Sequence, residues 1–212
     1  MKIFISGIAG FLGSHLADAF IRDGHHVVGC DSLIGGELDN VPAEAEFYQY
    51  DCCYRNSMLK ITKGCDLVYH TAATAYEGLS VFSPVLVTRN IFEASVTTIT
   101  AAIRNKVKRI VYCSSMARYG HHDEVPYKET YECRPQDPYG IAKVAAEEVL
   151  KVLSKVHNIE WNIAVPHNIV GPRQKYDDPY RNVVSIMINL MLQGKRPIIY
   201  GDGNQTRCFS DV

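Results

Sequence analysis

Lys2-Ile3-Phe4-Ile5-Ser6-Gly7-Ile8-Ala9-Gly10-Phe11-Leu12-Gly13 opens the chain, and its reading decides the fold. Residues 2–6 are short, apolar and bounded by glycine, the pattern of a buried parallel strand. Phe11 to Arg22 carries Leu12, Leu16, Ala19 and Phe20 on one face, the pattern of a helix. Three glycines fill the turn between them. Gly7 permits a tight turn, Gly10 lets a backbone approach a phosphate, and Gly13 lets the helix lie close to the strand. The N–H groups and positive dipole end of the helix then suit a pyrophosphate. A glycine-rich turn with no ligand is the other reading of this G-x-x-G-x-x-G stretch taken alone.

Asp31 ends a second apolar run, His26-Val27-Val28-Gly29-Cys30. A carboxylate there can accept hydrogen bonds from the adenosine ribose and would repel a 2′-phosphate, which favours NAD over NADP. A helix or turn cap is the alternative role.

Working outward, strands and helices alternate. Strands are predicted at Phe47–Tyr50, Asp66–His70, Arg109–Cys113, Glu160–Val165 and Pro197–Tyr200. Helices are predicted at Asn56–Thr62, Pro84–Lys106, Pro138–Lys155 and Arg181–Gln193. This alternation predicts an α/β fold, a Rossmann-type doubly wound parallel sheet with right-handed crossovers. The 212 residues, 47% of them hydrophobic, can bury a core as one domain. A net charge of −1 gives no footprint for nucleic acid or an anionic membrane, and no apolar run reaches membrane-span length. The N-terminus enters a strand at once, so no signal peptide is expected. The seven cysteines form no C-x-x-C pair, which predicts reduced thiols, a cytoplasmic location and no metal site. The end of the chain, Arg207 to Val212, reads as the middle of an element, so a C-terminal part is expected beyond it.

The chemistry is predicted from Tyr139-Gly140-Ile141-Ala142-Lys143 and Ser114-Ser115. Tyr139 and Lys143 lie four apart on a helix and share a face. A lysine ammonium beside a phenol lowers the phenol's pKa from about 10, and a phenolate near neutral pH can act as a general base on a hydroxyl. The same lysine can reach a nicotinamide ribose. Ser115 ends the fifth strand at the carboxyl edge of the sheet, where ligands bind. Among 13 tyrosines, only Tyr139 has lysine four residues on.

With the glycine turn, these residues resemble the extended short-chain dehydrogenase/reductase family, and its nucleotide-sugar epimerase/dehydratase branch in particular. The resemblance spans residues 1–212. Its landmarks are Gly7, Gly10, Gly13, Asp31, Asp51, His70 to Ala73, Asn90, Ser114-Ser115, Tyr139, Lys143, Asn168 to Arg173 and Arg207-Cys208-Phe209. It implies an NAD-binding domain over 1–165 and the start of a substrate-binding region over 166–212, with most of the smaller C-terminal substrate domain missing. It also implies that Phe11 and Leu12 touch the pyrophosphate, Ser32 accompanies Asp31, and Asp51 meets the adenine with Cys52 beside it. Thr71, Ala72 and Ala73 would line the cofactor and Asn90 would support its loops. His167 would contact the nicotinamide end. Ser115, Tyr139 and Asn168 would contact the nucleotide-sugar substrate. His70 is expected to be a packed strand-end residue, and Arg173 either a site residue or a solvated charge. Two positions depart from the pattern: Val165 replaces a common arginine, and Cys208 interrupts Arg-Asp-Phe. A homodimer through the helices 84–106 and 138–155 is expected.

The positions after Ser115 discriminate among reactions. In the family, dehydratases carry Asp-Glu there. Decarboxylases carry glutamate at the second position, and 3,5-epimerases carry cysteine there. This chain has Met116-Ala117, neither of which exchanges a proton. Oxidation and reduction alone remain, which suffices for 4-epimerisation of a UDP-sugar through a transient 4-keto intermediate. The alternatives are a sugar or alcohol dehydrogenase or a dehydratase of the family, or a non-catalytic NAD-binding protein.

Overall fold

The computed structural model describes residues 1–178 and 183–212. The chain begins with β1 (Lys2–Ser6), α1 (Phe11–Arg22), β2 (His26–Asp31) and β3 (Glu46–Gln49). It continues through α2 (Arg55–Ile61), β4 (Leu67–His70), α3 (Glu77–Ser80) and α4 (Pro84–Thr88). A π-turn, Arg89–Glu93, leads without a break into α5 (Ala94–Arg104). Then come β5 (Arg109–Cys113), α6 (Pro138–His157), β6 (Glu160–Ala164), β7 (Ile169–Val170), α7 (Val183–Leu192) and β8 (Ser210–Asp211).

Six strands form one parallel sheet in the order β3-β2-β1-β4-β5-β6, the doubly wound arrangement expected from the sequence. β1 pairs with β2 on one side and β4 on the other, so the winding direction reverses there. The pleat of β1 divides the core. Ile3 and Ile5 join Ile8, Ala17 and Val27 beneath α1. Phe4 faces the other way, into a cluster with Val28, Val68, Ile110 and Tyr112 capped by Met58, Ile99, Ala102 and Leu150. Each such buried side chain contributes about 1.5–3 kcal/mol. Surface pairs such as Lys108–Asp66, 2.8 Å apart, contribute about 0–1 kcal/mol. The two clusters therefore hold the sheet.

α6 begins where the sequence directs it. The Asp137 side chain accepts from Gly140 N at 2.8 Å and Pro138 occupies the first turn. It ends at Asn158 in the left-handed conformation, φ +53°.

Three expectations need correction. The predicted helix 84–106 is two α-helices in line, joined by the π-turn, and α3 precedes it. Pro197–Tyr200 is not a strand: Ile198, Ile199 and Tyr200 are exposed, and among the described residues no backbone pairs with them. A β-rich run without a partner edge has no ladder to join. Instead, β7 and β8 form a two-stranded parallel sheet. Of the helix predicted from Arg181, residues 181 and 182 lie outside the described residues, and α7 covers Val183–Leu192. No helix among the described residues is long and apolar enough to cross a membrane.

Candidate active site

At the carboxyl edge of the sheet, where the winding reverses, a cleft of about 700 Å³ runs from Asp31 and Asp51 past the glycine turn to Ser115, Tyr139 and Lys143. Its floor at the turn is bare backbone. Gly7 has φ +74° and its N–H donates to the Cys30 carbonyl at 2.7 Å. A Cβ on Gly7 would stand 2.8 Å from Ala72 Cα, and one on Gly13 would stand 2.1 Å from the Gly7 carbonyl oxygen. The first turn of α1 therefore lies directly against the end of β1. Gly10 caps α1 without a side-chain hydrogen bond, and the first turn holds no acid. Its free N–H groups face the cleft as a ready anion site. Bare backbone, free donors and a carboxylate at the end of β2 together fit a dinucleotide.

Asp31 is buried at the end of β2. Burial pushes its carboxyl up, against the pull of the Leu33, Ala9 and Ser32 N–H groups. Its Oδ1 accepts from Leu33 N at 2.8 Å and its Oδ2 from Ala9 N at 3.2 Å. The turn-cap alternative is thus realised together with a place in the cleft wall. Ser32 and Cys52 also line this end. At Asp51, burial pushes the carboxyl up, and the Cys53 N–H and Arg89 guanidinium outweigh it, leaving it below the usual carboxylate range. The bonds are 2.8 Å from Cys53 N and 3.1 Å from Arg89 Nη1. Asn90 Nδ2 donates to Thr74 Oγ1 at 2.9 Å, tying the π-turn to the loop after β4. Thr71, Ala72 and Ala73 line the cleft on that loop.

His70 is packed, as expected. Its Nδ1 lies 2.6 Å from Ser6 Oγ and its Nε2 2.9 Å from Ser95 Oγ, and it is absent from the cleft wall.

At the other end, α6 presents Tyr139 and Lys143, both buried. Lys143 Nζ donates to the Cys113 carbonyl at 2.7 Å and stands 5.1 and 5.9 Å from the ring centroids of Tyr112 and Tyr139. Burial pushes the lysine down. The expected lowering of the phenol is not what this geometry gives. Burial pushes Tyr139 up, and the hydrogen bond from Ser115 offsets it only in part. Desolvation at a nearly closed wall outweighs an ammonium engaged by a carbonyl. Ser115 caps the short 3₁₀ turn Met116–Arg118, its Oγ accepting from Ala117 N at 3.2 Å.

Asn168 lines the cleft, with φ +42°. His167 does not: its Nε2 lies 3.0 Å from Asn168 Nδ2, outside the wall. With the amide turned to Cys208 O at 3.0 Å, the chain holds the imidazole aside. Of the remaining wall residues, Arg173 is a candidate from the sequence and Gly36, Asn40 and Lys175 are not. Gly36 packs against Asp31, and Asn40 Nδ2 bonds Ala9 O at 3.1 Å. The segment after β7 crosses the cleft as a strap, with Arg173 paired to Asp18 at 2.7 Å and Lys175 to Glu37 at 3.1 Å. The basic residues following Gly171-Pro172 were the one available hint.

Fold and cleft together define a dinucleotide-dependent enzyme of the short-chain dehydrogenase/reductase type. The NAD dependent epimerase/dehydratase family matches residues 3–212, and the chain belongs to that family, whose cofactor is NAD. It is similar to the UDP-glucose 4-epimerase of Mycolicibacterium smegmatis, 31% identical over 99% of this chain and 69% of that protein. It is also similar to the UDP-N-acetyl-alpha-D-glucosaminuronate decarboxylase of Bacillus cytotoxicus, 30% identical over 100% of this chain and 67% of that protein. Among solved structures, Thermotoga maritima UDP-glucose 4-epimerase with UDP-glucose superposes with a TM-score of 0.96 at 31% identity. That match covers 100% of this chain and 69% of the other.

Proposed function

We propose that this enzyme is a nucleotide-sugar 4-epimerase acting on a UDP-sugar through a transient 4-keto intermediate. The observation that carries this reading is the pairing of Ser115, Tyr139 and Lys143 at one end of the cleft with Met116 and Ala117 beside them. The site has the groups for moving a proton on and off one hydroxyl. It has no acid or base at the two neighbouring positions that elimination, decarboxylation or 3,5-epimerisation would use.

In this reading the α1 N-terminus, with Gly7, Gly10, Phe11, Leu12 and Gly13, holds the pyrophosphate. Asp31 and Ser32 take the adenosine ribose, and Asp51 with Cys52 takes the adenine. Thr71, Ala72, Ala73 and Asn90 line the middle of the cleft. Lys143 reaches the nicotinamide ribose. NAD, when bound, supplies the acceptor for the C4 hydride and returns it. Tyr139 accepts the proton of the sugar 4-hydroxyl and gives it back after the sugar turns over. The Ser115 hydroxyl follows the oxygen as it changes between alcohol and carbonyl. With a phenol pushed up by burial, Tyr139 needs the charge of Lys143 and a bound oxidised nicotinamide to ionise. Asn168 contacts the nucleotide-sugar. His167 joins the nicotinamide end only if its ring leaves Asn168.

Residues 1–165 serve as the cofactor domain and 166–212 as the beginning of the substrate region. The exposed apolar side chains Phe82, Val85, Ile141, Val152 and Val156, on and beside α4 and α6, support a homodimer through these helices. Seven free thiols accord with a cytoplasmic location.

The test is NMR of the protein with NAD and UDP-glucose, UDP-N-acetylglucosamine, their 4-epimers or GDP-mannose. Interconversion at C4 without net NADH is expected, and Tyr139→Phe abolishes it while NAD stays bound. Stoichiometric NADH would make the protein a dehydrogenase instead.

A further inference from the structure

Glu147 is wholly buried, yet it lies outside the cleft wall. It sits one helical turn beyond Lys143 and two beyond Tyr139, so all three share one face of α6. Its Oε1 accepts from the Ser114 hydroxyl, and its Oε2 lies 3.0 Å from Arg118 Nη2. Ser114 and Arg118 are buried too, and they bracket Ser115. The guanidinium is also held by Cys133, whose Sγ accepts from Nε at 3.2 Å and from Nη2, the nitrogen that faces Glu147, at 3.1 Å.

One carboxylate therefore grips the residue before Ser115 and the third residue after it. The 3₁₀ turn between those grips is closed from within by Ser115 Oγ. Removing two charges from water costs several kcal/mol per ion, and an apolar pair of equal volume is often at least as stable. A buried carboxylate and guanidinium therefore call for a role besides stability, and selection of one backbone conformation is such a role.

We propose that Glu147, acting with Arg118, is a positioning residue: it sets segment 114–118 so that the Ser115 hydroxyl meets the Tyr139 phenol. This rests on the reading of Ser115 and Tyr139 given above, and its test does not need a substrate. The full chain is prepared with tyrosine carrying ¹³C at the ring Cζ, and the Tyr139 resonance is identified by its loss in Tyr139→Phe. Ser115→Ala shifts that resonance because the phenol loses a partner. Glu147→Gln, which keeps the volume, shifts it in the same direction and adds nothing in the Ser115→Ala background. Ser114→Ala removes one grip only; it gives a smaller shift and serves where Glu147→Gln does not fold. An unmoved Tyr139 resonance in the folded variants overturns the proposal. So does an equal Glu147→Gln shift with and without Ser115. In turnover, the same substitution lowers kcat by about tenfold with KM nearly constant, the loss expected for one misaligned hydrogen bond. If the unsubstituted protein converts no sugar, the epimerase reading fails while the resonance shifts still decide the role of Glu147.

Discussion

Lys143 donates to the main-chain carbonyl of Cys113 at 2.7 Å, so the helix that carries Tyr139 is bolted to the strand that leads to Ser115. Replacing Lys143 with Met keeps the stem and removes the charge. Turnover is expected to fall by about 10²-fold or more, in the range of a lost acid–base partner. NAD affinity should weaken with it. Steady-state kinetics and NAD titration by calorimetry measure both, and full turnover in Lys143→Met would remove the lysine from the mechanism.

The glycine turn gives a prediction about cofactor retention. In Gly13→Ala the new methyl meets the Gly7 carbonyl, a backbone atom that cannot swing aside. Overpacking of this kind costs about 1–3 kcal/mol. A lower melting temperature is expected together with weaker NAD binding, because α1 must lift from the phosphate site. Gly24, where a Cβ meets nothing within 4 Å but φ is +78°, is the comparison: Gly24→Ala strains a turn without moving the cleft. Equal NAD affinities in the two variants would contradict this account of Gly13.

The proposed role of Asp31 in choosing the dinucleotide gives a prediction of its own. A hydrogen bond to a charged group contributes about 1.5–3 kcal/mol, equivalent to about ten- to hundredfold in affinity. Asp31→Ser is expected to lose that much NAD affinity and to gain NADP affinity as the charge repelling a 2′-phosphate disappears. Fluorescence titration with both dinucleotides reads the ratio. An unchanged ratio would leave Asp31 only its turn-capping bonds to Leu33 and Ala9.

His70 predicts an acid limb of stability. The Ser95 hydroxyl donates to the Ile91 carbonyl, so it accepts from Nε2–H of His70, and Nδ1 then accepts from Ser6. The ring is neutral in this network, and burial holds it down to about 3 from 6.5. Below the unfolded value the unfolded chain takes up a proton that the folded chain refuses. Stability is therefore full above about pH 6.5 and is lost as pH falls towards 3, by up to ~1.4 kcal/mol per pH unit for one proton. Urea unfolding between pH 7.5 and 4.5 should show this slope, and His70→Gln should flatten it. The same slope in both proteins would assign it to other groups.

The strand–helix alternation and most of the cleft were legible because they depend on short-range patterns. The β1–Gly–α1 turn, the Asp31 position and the Tyr139–Lys143 spacing are all local. Most of what escaped depends on partners distant in sequence, and His167 on a rotamer that its neighbour selects. Pro197–Tyr200 has strand composition but no ladder. The Arg173 and Lys175 strap exists only because Asp18 and Glu37 are brought beneath it. The phenol's upward shift reflects how closed the wall is around Tyr139, which spacing cannot express. His167 was displaced by a neighbour, Asn168, whose amide claims its ring.

The π-turn at Arg89–Glu93 makes segment length a constraint in its own right. A π-turn holds one residue more than the α-helical phase accommodates. Deleting a single residue there would leave every strand and every glycine in place. The four residues left would close as an ordinary α-turn, and α4 would keep nearly its present phase relative to α5. What would go is the local bulge that carries Arg89 to Asp51 and Asn90 to Thr74, so the Asp51 end of the cleft would lose two braces while the helices on either side stayed in register.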